Sequence, residues 1–170
     1  MHFQAFPSLL KELVLFAYAH PLPPLPSSLL ILSSSNYNNP LPLLPPSLLT
    51  FHMSGTTKFG LPILPDSLIH LALRQYDDQI HPLPPLLQKL YLHNYFPLPP
   101  LPASLSTIIL HGTYKPLASA HHLPPLPPLP ACLNSITIAS EYTALLPKMP
   151  IYCKVSPYTE CRFSLSSFIQ

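Results

Sequence analysis

Seven side chains that donate hydrogen bonds or carry positive charge recur at fixed offsets from a single leucine spacing: His52, His70, Arg74, Lys89, Tyr91, His93 and His111. Each lies two, four or six residues after a leucine that itself stands three residues after a proline. Their chemistry is that of anion recognition. Arg and Lys make charge-assisted hydrogen bonds to carboxylates, and Arg and Tyr are favoured interface anchors. Histidine has an ordinary pKa of about 6.5, so such a patch gains charge on mild acidification. The pattern predicts a face for an acidic protein partner. Binding is expected to strengthen between roughly pH 7.5 and 6 and to weaken with salt.

Other chemistries are poorly served. His93 and His111 fall on adjacent predicted strands, but no carboxylate stands near to complete a metal site, so no metal ligands are expected. The chain holds only three glycines, and no Gly-rich phosphate loop, H-E-x-x-H or G-x-S-x-G motif is present. No catalytic residue and no cofactor are therefore expected, and the reading is not an enzyme. A net charge of +2 with 8% charged residues argues against a nucleic-acid binder. Proline recurs too often for a membrane span, which needs about 20 apolar residues in a row. The opening MHFQAFPSLLKELVLFAYAH has the composition of a signal peptide. Lys11 and Glu12 interrupt it, however, and its residues already keep the repeat register, so it reads as the first coil. Three cysteines, Cys132, Cys153 and Cys161, are odd in number and lack metal-ligand spacing. No N-x-S/T site is present. Both observations fit a reducing, intracellular compartment, with buried thiols favoured over a Cys153–Cys161 pair.

The elements that would position the patch follow from the leucines. Leu10, Leu29, Leu48, Leu68, Leu87, Leu105 and Leu133 each follow a proline by three, at intervals of 19, 19, 20, 19, 18 and 28 residues. A period near 20 marks a solenoid, in which one coil is too small to bury its own apolar face. After each anchor the pattern is L-x-x-L-x-L, as in HLALR and KLYLH, with the period of two that strands require. Before it the pattern is L-P-x-L-P-x-S/C-L. Proline has no N–H and fixes φ, so this arm is expected to be polyproline II or a turn. The expected fold is mainly β: a right-handed solenoid of the leucine-rich-repeat kind, with about seven 19-residue coils. A parallel sheet forms one face, the Pro-rich arms form the other, and there is almost no helix. Stacked strands would bring the seven side chains together on the solvent side.

A single domain over residues 1–170 is expected, with regular repeats at 3–146. The 28-residue interval places a loop insertion at 118–125, expected to protrude. Residues 147–170 read as a degenerate last coil and C-terminal cap, with Pro150 at the anchor position.

The stretch Tyr37-Asn38-Asn39-Pro40-Leu41, followed by Leu43-Leu44-Pro45-Pro46-Ser47-Leu48, resembles the FNIP repeat, named for Phe-Asn-x-Pro-Ile and paired with L-P-x-S-L-x-x-L-x-L. Looser copies are Y18-A19-H20-P21-L22 and Y76-D77-D78-Q79-I80. Tyr replaces the motif Phe, and the period is shorter than the family's. The doubled L-P-x-L-P is also similar to LPX-type leucine-rich repeats of bacterial effectors, which carry Asn where this chain mostly has Tyr. Both resemblances imply a leucine-rich-repeat-like solenoid without catalytic chemistry.

Two alternatives compete. The tetrapeptide PPLP occurs at Pro23–Pro26, Pro99–Pro102, Pro124–Pro127 and Pro127–Pro130. It resembles the ligand of one class of WW domain, making the chain a Pro-rich adaptor ligand. The lesser alternative is a non-functional translation of repetitive DNA. Against it, inward positions exchange Leu for Ile, Phe or Met but almost never for a charge.

Overall fold

The computed structural model describes residues 4–55, 59–76, 80, 82–93, 98–111, 126–138 and 147–157. The Pro–Leu spacing proves to be a turn. In all seven repeats the anchor N–H donates to the carbonyl of the proline three residues back, from Leu10 to Pro7 through Leu133 to Pro130, at 3.1–3.2 Å. The proline contributes only its carbonyl to this turn, so its missing N–H costs nothing there. The turn drives each anchor inward, and Leu29, Leu48, Leu68, Leu87 and Leu105 are completely buried.

Each turn delivers the chain into a strand. The strands are β1 (Glu12–Phe16), β2 (Ile31–Ser35), β3 (Thr50–Ser54), β4 (His70–Arg74), β5 (Lys89–His93), β6 (Thr107–His111), β7 (Ser135–Ile138) and β8 (Lys154–Pro157). They form one parallel sheet in chain order. No helix occurs among the described residues. The register is constant: Leu13, Leu32, Phe51, Leu71, Leu90, Ile108 and Ile136 stand side by side. These residues, with Met53, Leu73, Leu92, Leu110 and Ile138, form one core. Leu22, Leu25, Leu41, Leu44, Leu83, Leu98, Leu101, Leu126 and Leu129 from the Pro-rich arms pack against it.

Three further repeat positions have roles that only the stacked coils reveal. The residue before the anchor ties coil to coil. Ser28, Ser47 and Ser104 each donate to two carbonyls of the coil before, and Ser67 donates to Leu48. Cys132 does the same with its thiol. The recurring Tyr closes its own coil: the Tyr37 hydroxyl accepts from Leu22 N–H and that of Tyr76 from Leu61 N–H, both at 3.1 Å. Tyr95, Tyr114 and Tyr142 lie outside the described residues.

The third position, seven residues after the anchor, leaves β1 to β4 through a left-handed turn. Ala17, Asn36 and Gln75 have φ of 48°, 54° and 56°, and Gly55 has 106°. At Gly55 the turn is also crowded, since a Cβ would lie 2.6 Å from Asn36 Oδ1. A side chain with Cβ pays roughly 1 kcal/mol to sit in this region. Gln75 is exposed, so Gln75→Gly is expected to raise stability by up to about 1 kcal/mol, measured as a shift in the urea midpoint.

The eighth coil departs from the sequence expectation. Cys153 N–H donates to Pro150 O at 3.1 Å, as Leu133 does to Pro130. Pro150 therefore occupies the turn-proline position, and the anchor is Cys153, which packs half-buried against the core. The strand then joins β7 one residue early, with Val155 opposite Ile136. The insertion expected at 118–125 and the tail after 157 lie outside the described residues.

Candidate functional site

The open face of the sheet carries the even positions after each anchor. On β3 to β6 these are Thr50, His52, Ser54, His70, Ala72, Arg74, Lys89, Tyr91, His93, Thr107, Ile109 and His111. They include two full cations and four histidines, and no carboxylate. Pairing places His70 beside Lys89, and His93 beside His111. All seven residues expected from the sequence thus fall on four adjacent strands.

Their contacts are specific. The Arg74 guanidinium carbon sits 5.3 Å from the centre of the Tyr91 ring, in cation–π range. The His93 and His111 rings stack at 4.7 Å with 28° between their planes, close to the spacing of neighbouring strands. His52 Nδ1 lies 3.0 Å from Ser33 Oγ on β2. His52, His70, Arg74, Lys89, His93 and His111 are all half-buried.

Tyr91 corrects the sequence reading. It was expected at the surface of the patch, yet it is only 1% exposed and belongs to a second, smaller core with Ala72 and Ile109. The cause is a size match. Ala72, directly beside it on β4, is small and packs with the ring and Ile109, and Arg74 lies over it. The ring therefore forms a packed floor under the patch. Ser33 and Thr50 are likewise buried on this face. Sequence reasoning missed Ser33 as the partner of His52. Their shared register position, four residues after the anchor, was the available signal.

Burial, then the charge of Arg74, lowers the His52 pKa from its ordinary 6.5. Burial, then Lys89, lowers that of His70. The fold favours both neutral forms, so their contribution to stability is complete above pH 6.5, the unfolded value. It is lost as pH falls from there towards the depressed folded values. Urea melts should show lower stability at pH 5.5 than at pH 7.5, with a smaller difference in His52→Gln. Equal stability of the parent at both pH values would contradict these burials. The shifts also move the charging of these two residues below the range expected from sequence.

A Ser–His pair at hydrogen-bond distance is the beginning of an acyl-transfer site. Ser33, however, is 3% exposed, and the charge beside His52 is Arg74 rather than an orienting carboxylate. Among the described residues, no three His, Cys, Asp or Glu side chains are placed to hold a metal. Among those residues, no helix is long and apolar enough to cross a membrane. In the PPLP segments Leu25, Leu101 and Leu129 pack into the core, while Pro24, Pro100 and Pro128 face solvent.

A parallel sheet built from successive stacked coils, with leucines pointing in from both the strands and the Pro-rich arms, defines a leucine-rich-repeat-like β-solenoid. Among solved structures, one titled "The crystal structure of CroV588 a novel circular LRR protein structure" has this fold, with a TM-score of 0.57 and 19% identity. The alignment covers 88% of this chain and 30% of that one, so this chain spans about a third of its length. No protein-family model matches the chain, and no curated protein does.

Proposed function

We propose that this chain is a non-catalytic protein-interaction scaffold that binds an acidic protein partner on the open face of β3 to β6. The observation that carries the reading is the convergence of Arg74, Lys89, His52, His70, His93 and His111 on four adjacent strands without a carboxylate among them. Solenoids commonly bind partners along such extended surfaces. The likeness to FNIP repeats rests on the sequence motif and points the same way. The WW-ligand reading is less well supported, because the coil uses the PPLP leucines for its own core.

Panning a random peptide library against the intact chain tests the proposal. Enriched peptides are expected to be rich in Asp and Glu. Arg74→Ala combined with Lys89→Ala should weaken their binding at least tenfold, the effect of losing about 1.4 kcal/mol, with the fold unchanged by circular dichroism. Affinity should fall with salt and rise on acidification below the ordinary histidine pKa. Enrichment of neutral, basic or Pro-rich peptides, or full affinity in the double variant, would move the site elsewhere.

A further inference from the structure

The two ends of the described sheet differ from its middle. The first coil exposes Leu9, Val14 and Phe16, and the eighth exposes Ile151, Tyr152 and Val155. These are six of the eleven large apolar side chains exposed among the described residues, carried by two coils of eight. Val14 holds the register position of Ser33 and His52, with Ala72 and Tyr91 further along. Val14 is 57% exposed, whereas Ser33, Ala72 and Tyr91 are at most 5% exposed. Among the described residues, Val14 has a strand on one side and Ser33 has one on both.

The backbone makes the same point. Lys11 O accepts from β2, and Ala17 N–H donates to Ser35 O. Direction alternates along a strand, so the intervening Glu12, Val14 and Phe16 turn their N–H and C=O groups away from β2. At the other end Lys154 N–H donates to Asn134 O, so the Val155 N–H points away from β7. Every internal strand meets such an edge with the edge of its neighbour, and this interface recurs seven times in the chain.

We propose that the chain associates head to tail with a second copy, the β8 edge of one copy extending the sheet from the β1 edge of the next. Charge supports this choice of occupant. Lys154 pairs with Ser135, whose register position Glu12 holds in β1. Continuing the ladder sets Lys154 opposite Glu12 of the next copy, Val155 opposite Leu13 and Ser156 opposite Val14. Opposite charges directly across a strand pair are favourable. The ladder stops at Pro157, which has no N–H. Because the two edges are different surfaces, the contact is heterologous and generates rings or open chains of copies.

Two edge prolines test this on the full chain. Val14→Pro and Val155→Pro each remove an N–H that points away from the neighbouring strand, a setting where proline is tolerated. Sedimentation velocity from micromolar to millimolar should show the parent growing in steps of 18.9 kDa. Each variant alone should stay monomeric, and an equimolar mixture should form a dimer and nothing larger. Should either proline variant unfold, Glu12→Lys and Lys154→Glu replace it: each alone weakens association and the two combined in one chain restore it. A parent that stays monomeric throughout, or a Val155→Pro chain that still dimerises, would overturn the proposal. The latter result would show β1 pairing with itself.

Discussion

Leu71→Asp is expected to remove the cooperative unfolding transition at neutral pH. Leu71 is completely buried in β4, between Phe51 and Leu90 in the register. Truncating such a leucine to alanine costs about 2–5 kcal/mol by itself. The carboxylate adds the cost of an unpaired charge placed among leucines, for a loss of more than about 5 kcal/mol. That is comparable with the whole stability of many domains. A solenoid has no alternative route for this force, because each coil touches only its neighbours. The coils on either side of β4 then lose a face each. Far-UV circular dichroism with urea titration measures it, and a variant that melts like the parent would show the register to be wrong.

Tyr91→Ala is expected to destabilise the chain by roughly 3 kcal/mol, the usual cost of deleting a buried ring. Arg74→Ala loses the cation–π contact over that ring, a term of about 1 kcal/mol. The contrast matters for function. A binding defect in Tyr91→Ala would mix partner contact with collapse of the second core, whereas Arg74→Ala and Lys89→Ala separate them. Tyr91→Phe keeps the ring and is expected to melt within about 1 kcal/mol of the parent. If Tyr91→Ala proved as stable as Arg74→Ala, the ring would not be the packed floor described above.

The parts of this structure that were legible in the sequence are those set by local geometry. The Pro–Leu turn needs only four residues, and the inward leucines follow from a period of two once the turn fixes the phase. Seven strands and their register could be read from that alone. The burial of Tyr91 could not, because it depends on Ala72 in another coil leaving space beside it. The eighth anchor was misplaced for a related reason. Without a leucine at Cys153, sequence spacing gave no means of telling the turn proline from the anchor. Left-handed turns were visible only in part: Asn36 and Gly55 are residue types that signal them, whereas Ala17 and Gln75 adopt them because the coil must leave its strand there. Serine before the anchor was plain in the motif, but its role required knowing that the carbonyls of the preceding coil lie within its reach.

The candidate site was legible as a composition and less so as a surface. The cationic and histidine positions emerged because strand periodicity assigns faces. Their depth did not, and with it the lowered pKa values of His52 and His70.

Hydrogen–deuterium exchange of the chain, free and saturated with an acidic peptide from the library, tests the central claim most directly. Protection on binding is expected in the peptides spanning β3 to β6, and should vanish with Arg74→Ala and Lys89→Ala. Protection confined to the Pro-rich arms around Leu43 and Ile63, both 81% exposed on the opposite side of the coils, would contradict it.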